Sequence, residues 1–243
     1  MSINTASERT AIILAGGRGT RLLPYTTVLP KPLMPLVDKP ILEVVVRQLS
    51  HFGFTRLIFA VGHLAELIQA YFGDGSRWGI KIEYSREEYP LGTAGPIGLI
   101  EGLDQPFLVM NGDILSSLDF GDLWERHLAS KALATISLYK KLVKIDLGVI
   151  ELGDRGEITG YTEKPTLSYD VSMGIYMFSP EIKAHIPTGE RLDLPDLILN
   201  LLARKEQVNS YPFSGHWLDI GRPEDYAQAV EVYQNHLAEF HVE

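Results

Sequence analysis

The residues with the clearest chemical potential gather in a few short stretches. Gly16–Gly17–Arg18–Gly19–Thr20–Arg21 places three glycines and two arginines in six consecutive positions. Backbone so free of side chains can wrap phosphates through its N–H groups, with Arg18 and Arg21 adding charge. Ten residues beyond Arg21, Lys31 stands between Pro30 and Pro32. These prolines are expected to hold it in an extended loop, aimed rather than buried. Asp113 follows the apolar run Phe107–Met110, at the C-terminal end of an expected strand, where open α/β sheets bind ligands. A carboxylate there suits Mg2+, which takes one or two protein carboxylates and leaves its other positions to phosphates and water. The glycine turn has neither the G-x-G-x-x-G spacing of dinucleotide folds nor the G-x-x-x-x-G-K-[ST] of P-loop NTPases. A nucleotide-dependent oxidoreductase is therefore disfavoured, and the handling of phosphates by some other scaffold is left.

The elements that must position these groups follow from the apolar pattern. Thr10–Ala15 is a short continuous apolar run, the mark of a strand buried on both faces, and it delivers the glycine turn. The stretch carrying Pro24, Pro30, Pro32 and Pro35 cannot be a regular helix or a central strand. Pro40 fits the first turn of a helix that runs to Phe52, with Gly53 as its stop. Strands at Arg56–Val61, Ile80–Ser85, Phe107–Asn111 and Ala132–Tyr139 alternate with helices at His63–Phe72, Thr93–Leu103 and Phe120–Ala129. Such alternation means βαβ units and a mostly parallel sheet. Leu147–Leu152 and Glu157–Thr162 flank Gly153–Asp154–Arg155–Gly156 and read as a β-hairpin, followed by a strand at Val171–Phe178. A helix at Asp193–Arg204, a strand at Val208–Pro212 and a last helix from Pro223 complete the chain. Tyr226, Val230, Tyr233, Leu237 and Phe240 form one buried stripe on that last helix. The organisation predicted is a polar tail over 1–9 and one domain over 10–243, of α/β class, with an antiparallel hairpin insertion.

The run LAGGRGTRLLP…LPKPLMPLVDKP resembles the N-terminal signature of the sugar-1-phosphate nucleotidylyltransferases, the NDP-sugar pyrophosphorylases. Segments similar to that family follow in order: Glu87–Gly95, Asn111–Asp113, Gly148–Val149, Glu163–Pro165, Gly174–Tyr176 and Trp217–Gly221. The resemblance spans residues 10–233. Its PLGTAGP stretch looks most like the mannose-1-phosphate guanylyltransferase branch, and the length of the chain resembles the short, single-domain members. The implied fold is the Rossmann-like, mostly parallel sheet of nucleotide-diphospho-sugar transferases, with helices on both faces.

The implied reaction is attack by a sugar-1-phosphate oxygen on the α-phosphorus of an NTP, which expels pyrophosphate. The nucleophile is already anionic, so positioning and charge neutralisation are what the protein must supply. Two like unit charges 4 Å apart repel by about 4 kcal/mol at an effective dielectric near 20. The resemblance assigns Arg21 and Lys31 to the NTP phosphates, with Gly17, Arg18, Gly19 and Thr20 forming the turn. Leu14, Ala15, Gly16, Gly92, Thr93 and Gly112 fall at nucleotide-contacting positions. It gives Asp113 and Asp219 to a shared Mg2+; each aspartate also has the simpler reading of a strand-end or N-cap residue. Glu163 and Lys164 fit the sugar side, one accepting from hydroxyls and the other meeting the phosphate. Asn111, Gly148, Ser172, Gly174 and Trp217 are grouped with them. Ser172 stands where many relatives carry Asn, and Leu147 where a tyrosine is common. A mannose-like or heptose-like sugar, another hexose or a cyclitol all fit. GTP is favoured over UTP, dTTP and CTP. A non-catalytic nucleotide-sugar-binding regulatory subunit is the competing reading, disfavoured by the presence of Arg21, Lys31, Asp113, Lys164 and Asp219.

Composition narrows the rest. The chain has 243 residues and no cysteine, which excludes disulfides, thiolate metal sites and a cysteine nucleophile. Lys+Arg 22 against Asp+Glu 31 gives 22 − 31 = −9, against a broad nucleic-acid surface. No apolar run is long enough to span a membrane and the start is polar, so a cytoplasmic protein is expected. The seven histidines show no H-x-H or H-E-x-x-H spacing, so no zinc site is expected, and there is no G-x-S-x-G nucleophile elbow. A homodimer is the default assembly.

Overall fold

The computed structural model describes residues 8–242. Most of the expected tail lies outside them, but Arg9 already belongs to the first strand, where its guanidinium pairs with Glu125 at 2.7 Å. The elements in chain order are β1 (Arg9–Ala15), β2 (Pro35–Leu36), β3 (Lys39–Pro40), α1 (Ile41–His51), β4 (Phe54–Val61), α2 (Ala65–Phe72), β5 (Lys81–Arg86), β6 (Phe107–Asn111), β7 (Ile114–Ser116) and α3 (Phe120–Ser130). They continue with β8 (Ala134–Lys144), β9 (Val149–Leu152), β10 (Ile158–Thr162), β11 (Thr166–Phe178), α4 (Leu194–Ala203), β12 (Val208–Phe213), β13 (Trp217–Asp219) and α5 (Pro223–Asn235).

Seven strands form the main sheet in the order β12-β8-β11-β6-β1-β4-β5. All neighbours pair in parallel except at β11, which runs antiparallel to both β6 and β8. Period-two alternation divides the core between the two faces. Ala11, Ile13 and Ala15 of β1 join Leu108 and Met110 of β6 beneath α1, α2 and α3. Ile12 meets Phe107, Val109 and the α4 residues Leu194, Leu197 and Leu201 on the other face. Helix α1 carries apolar side chains around most of its circumference because it serves two clusters. Leu42, Val45 and Leu49 face the sheet, whereas Ile41 and Val44 pack with Leu218, Ile220 and Tyr233 near the C-terminus.

The chain runs from β1 to β4 and β5 on one side, then returns to place β6 on the other side of β1. The crevice beyond the C-terminal ends of β1 and β6 is therefore a topological switch point, where such sheets bind ligands. Leu14 pairs with Asn111 there, and the Gly112 N–H donates to the Leu14 carbonyl at 2.9 Å.

Four expectations are corrected. Thr93–Leu103 is not a helix; only Gly95–Leu99 forms a 3-10 turn, because three glycines and Pro96 weaken a helix and the Ala94 and Gly95 N–H groups donate instead to Leu192. Helix α5 stops at Asn235, so the stripe breaks: Tyr233 and Phe240 are buried but Leu237 is exposed. After a 3-10 turn at Thr20–Leu22, the proline-rich stretch forms two more, at Tyr25–Thr27 and Lys31–Leu33, and Lys31 within the last of them is 7% exposed, buried rather than held out in an extended loop. The strands before and after the hairpin run further than expected, and their outer halves pair as a ribbon from Thr166↔Lys144 to Ser172↔Leu138.

Candidate active site

A cleft of about 830 Å³ opens at the switch point. It is floored by Leu14, Ala15 and the whole glycine turn from Gly16 to Arg21, with Lys31, Asp113, Gly92 and Thr93 around it. Every nucleotide-side residue expected from sequence lines it except Gly112, which is buried under it between Leu14 and Asp113. The turn keeps its shape through Gly19, whose φ of +61° favours glycine and whose Cα leaves only 2.9 Å between a Cβ and the Thr26 methyl. Thr26 in turn donates its hydroxyl to the Gly19 carbonyl at 2.8 Å. Nothing in the sequence around Thr26 distinguishes it from an ordinary loop threonine.

Across the cleft, the loop at Gly92–Thr93 is fixed on the start of α4. The Thr93 N–H donates to Asp193 Oδ1 at 3.0 Å, and the Leu194 N–H donates to the Thr93 hydroxyl at 2.7 Å. Glu87 lies between this loop and the glycine turn. Its Oε2 accepts from the Leu91 N–H at 2.7 Å, and its Oε1 stands 3.0 Å from where a Cβ on Gly16 would be. Burial pushes its carboxyl above the usual carboxylate range, while the Leu91 N–H opposes that rise. Glu87 opens the recognised Glu87–Gly95 segment, yet sequence gave it no individual role. His63 and Arg86 line the cleft as well and carry no sequence signal.

The two candidate metal carboxylates, 106 residues apart in sequence, are brought together by a small ribbon that sequence did not reveal. Strands β7 and β13 pair antiparallel with Asp219 opposite Ile114, and the Ile220 N–H donates to the Asp113 carbonyl at 3.2 Å. The helix-capping alternative for Asp219 does not occur: Arg222 precedes α5 and no side chain caps it. Lys31 donates its ammonium to Asp113 Oδ2. Asp113 Oδ1 is buried with no hydrogen-bond partner among the described residues. Burial, and then the negative charge of Asp113, push the Asp219 carboxyl up; Lys31 and Arg21 pull it partly back. The Arg21 guanidinium lies against the Gly221 backbone, 3.1 Å from where a Cβ would stand. A buried unpaired carboxylate oxygen beside a second carboxylate is a donor set that fits a hard divalent cation.

A smaller cavity of about 220 Å³ shares Asn111 with the cleft and is bounded by Ser172, Gly174, Trp217 and Asp219. Its wall is a bulge in β11, where the register to β8 jumps between Ser172 and Tyr176. Gly174 sits there at φ +71°, with 2.7 Å between its would-be Cβ and Asn111 Nδ2. The Trp217 indole donates to the Met173 carbonyl at 3.0 Å, and Ser172 and Tyr176 hydroxyls lie 2.9 Å apart. Four of the expected sugar-side residues thus meet.

The other three do not join them. Gly148, Glu163 and Lys164 line neither cavity, because they belong to the exposed β9–β10 hairpin region at the end of the ribbon. Glu163 accepts from the Tyr161 hydroxyl at 2.8 Å, and Lys164 lies 3.9 Å from Glu163. Among the described residues no helix is long and apolar enough to cross a membrane.

The chain is 36% identical over 241 residues to a UTP–glucose-1-phosphate uridylyltransferase of Synechocystis sp., covering 90% of this chain and 62% of that protein. It is 36% identical over 234 residues to the catalytic subunit beta of mannose-1-phosphate guanylyltransferase of Danio rerio, covering 92% and 64%. The chain therefore spans less than two thirds of the length of these curated relatives. A crystal structure described as a putative glucose-1-phosphate thymidylyltransferase of Bacillus anthracis superposes with a TM-score of 0.75 at 26% identity, covering 93% of this chain and 96% of that one. The family model described as nucleotidyl transferase matches residues 10–236, and the chain belongs to that family.

Proposed function

We propose that the protein condenses an NTP, preferentially GTP, with a mannose-like or heptose-like sugar 1-phosphate, giving an NDP-sugar and pyrophosphate. The observation that carries the reaction class is the meeting of Arg21, Lys31, Asp113 and Asp219 at the shared end of two cavities. The larger cavity has the glycine turn expected of a phosphate cradle, and the smaller one is lined by polar groups suited to a sugar.

In this reading the NTP lies along the glycine turn with its phosphates toward Arg21 and Lys31. Asn111 and Ser172, with the bulge at Gly174, hold the sugar so that its phosphate faces the α-phosphorus. An oxygen of the sugar phosphate forms a bond to the α-phosphorus, and the bond from that phosphorus to the β-bridging oxygen breaks. Pyrophosphate leaves with the electron pair, and no proton need move. Asp113 and Asp219 would hold Mg2+, which when bound supplies positive charge to the crowded phosphate oxygens. Lys31 neutralises one oxygen of Asp113 and leaves the other free. Lys164 and Glu163 belong to the same reading as sugar-phosphate and hydroxyl contacts, which requires the hairpin to fold toward Asn111.

Glu87 supports GTP. The Watson–Crick edge of guanine presents two adjacent donors, N1–H and N2–H, which a carboxylate accepts together. Uracil and thymine present a single N3–H flanked by two carbonyls, so a carboxylate there faces oxygen. Pyrophosphate release with four NTPs and a panel of hexose and heptose 1-phosphates tests the reading. GTP with one of these sugars is expected to turn over fastest.

A further inference from the structure

Beside the β7–β13 ribbon, where the chain turns back after α5, three side chains with metal-binding chemistry converge. His216 precedes β13, His236 follows α5, and Glu239 lies in the 3-10 turn Leu237–Phe240. His216 Nε2 is 3.3 Å from Glu239 Oε2, and His236 Nδ1 is 2.8 Å from Glu239 Oε1. The two imidazoles face one another with ring centroids 4.2 Å apart. One ligand atom from each of the three residues lies within 4.8 Å of the others.

We propose that His216, His236 and Glu239 form a binding site for a transition-metal ion of the zinc(II) class, separate from the Asp113–Asp219 pair, that fastens the C-terminal segment to the strand carrying Asp219. Ligand atoms placed 2.0–2.1 Å from zinc at tetrahedral angles are about 3.4 Å apart. The two nitrogen–oxygen separations of 2.8 and 3.3 Å fall just short of that distance and the three ligand atoms all lie within 4.8 Å of one another, so small side-chain rotations close the set. Two imidazole nitrogens and one carboxylate suit zinc, cobalt or nickel; magnesium prefers oxygen alone. Coordination would replace the protons now needed for both rings to bond one carboxylate. All three side chains are partly exposed, with 29%, 41% and 52% of His216, His236 and Glu239 accessible, so an ion can enter and retain water at its open position.

The surroundings supply rigidity on one side. The His216 N–H donates to the Ser117 hydroxyl at 3.0 Å, and its carbonyl accepts from the Ser117 N–H at 2.9 Å. The buried Phe240 ring lies 6.2 Å from the His216 ring. His236 has left helical geometry, at φ −129°, which turns the chain back toward β13. An ion held here would tie that turn to a residue three positions before Asp219.

The test uses untagged, metal-free protein, titrated with Zn2+ and Co2+ by equilibrium dialysis with metal analysis, and Co2+ absorption as a readout of imidazole ligation. The expected result is one equivalent of Zn2+ that persists in the Asp113→Asn/Asp219→Asn variant. In the His236→Ala/Glu239→Gln variant its affinity falls at least tenfold. Saturating Zn2+ is expected to raise the unfolding midpoint by about 5 °C in the parent protein and not in the His236→Ala/Glu239→Gln variant. Unchanged binding in that variant, loss of the equivalent in the aspartate variant, or no uptake at tens of micromolar Zn2+ would each overturn the site. None of these readouts depends on turnover.

Discussion

Lys31 and Asp113, 82 residues apart, form an ion pair at the junction of the two cavities, and the pair occupies only one carboxylate oxygen. In the proposed reaction the lysine divides its charge between the protein and an incoming phosphate. Replacing Lys31 with Met keeps the stem and removes the charge. We expect the fold to persist, with turnover reduced at least a hundredfold, and Asp113→Asn to do the same. Steady-state pyrophosphate release beside circular dichroism checks both, and a folded, nearly fully active variant would remove that residue from the mechanism.

Glu87→Gln exchanges an acceptor pair for one acceptor and one donor. Loss of a charge-assisted bond to guanine predicts a fall in kcat/KM for GTP of about 10- to 100-fold. The value for UTP should stay level or rise. A parallel loss with both nucleotides would mean that Glu87 shapes the loop and does not read the base.

Gly174→Ala adds a methyl 2.7 Å from Asn111 Nδ2 at a backbone conformation with φ +71°. The strain is worth about 1–3 kcal/mol. Since the clash falls on Asn111, KM for the sugar phosphate should rise more than KM for the NTP. Kinetics varied in each substrate separate the two, alongside a thermal melt.

His127 is 1% exposed, with Nδ1 at 2.8 Å from the Thr135 hydroxyl and Nε2 at 3.3 Å from the Ser179 hydroxyl. Burial pushes its imidazole down from 6.5 to about 4. Between those pH values the unfolded chain binds the proton and the folded chain does not, so stability falls as the solution is acidified. The full contribution is present above pH 6.5 and about 3 kcal/mol of it is lost on approaching pH 4. Urea unfolding across that range should show the slope, and His127→Gln should flatten it.

The sheet was legible because its central strands are buried on both faces. Runs such as Thr10–Ala15 and Phe107–Asn111 need no context to be read as strands. The glycine turn and the two aspartates were legible as motifs, and the resemblance paired the aspartates, but the ribbon that joins them was not legible: β7 and β13 have three residues each and pair across a separation no local pattern records. Thr93–Leu103 misled because its apolar spacing suits a helix, whereas its backbone donors go to Leu192 on another segment. The hairpin residues Glu163 and Lys164 were found by motif alone, and nothing in a motif tells whether the hairpin stands open. His216 and His236 lie 20 residues apart with Glu239 three further on, a spacing that matches no metal signature until the chain folds.

Pyrophosphate release from GTP and mannose 1-phosphate or a heptose 1-phosphate, with Mg2+, tests the account most directly. Turnover with GTP exceeding that with UTP, dTTP and CTP, and abolished by Asp113→Asn, is the predicted result. Bound nucleotide without pyrophosphate release across the whole panel would contradict it and favour a non-catalytic nucleotide-sugar-binding role for the same cleft.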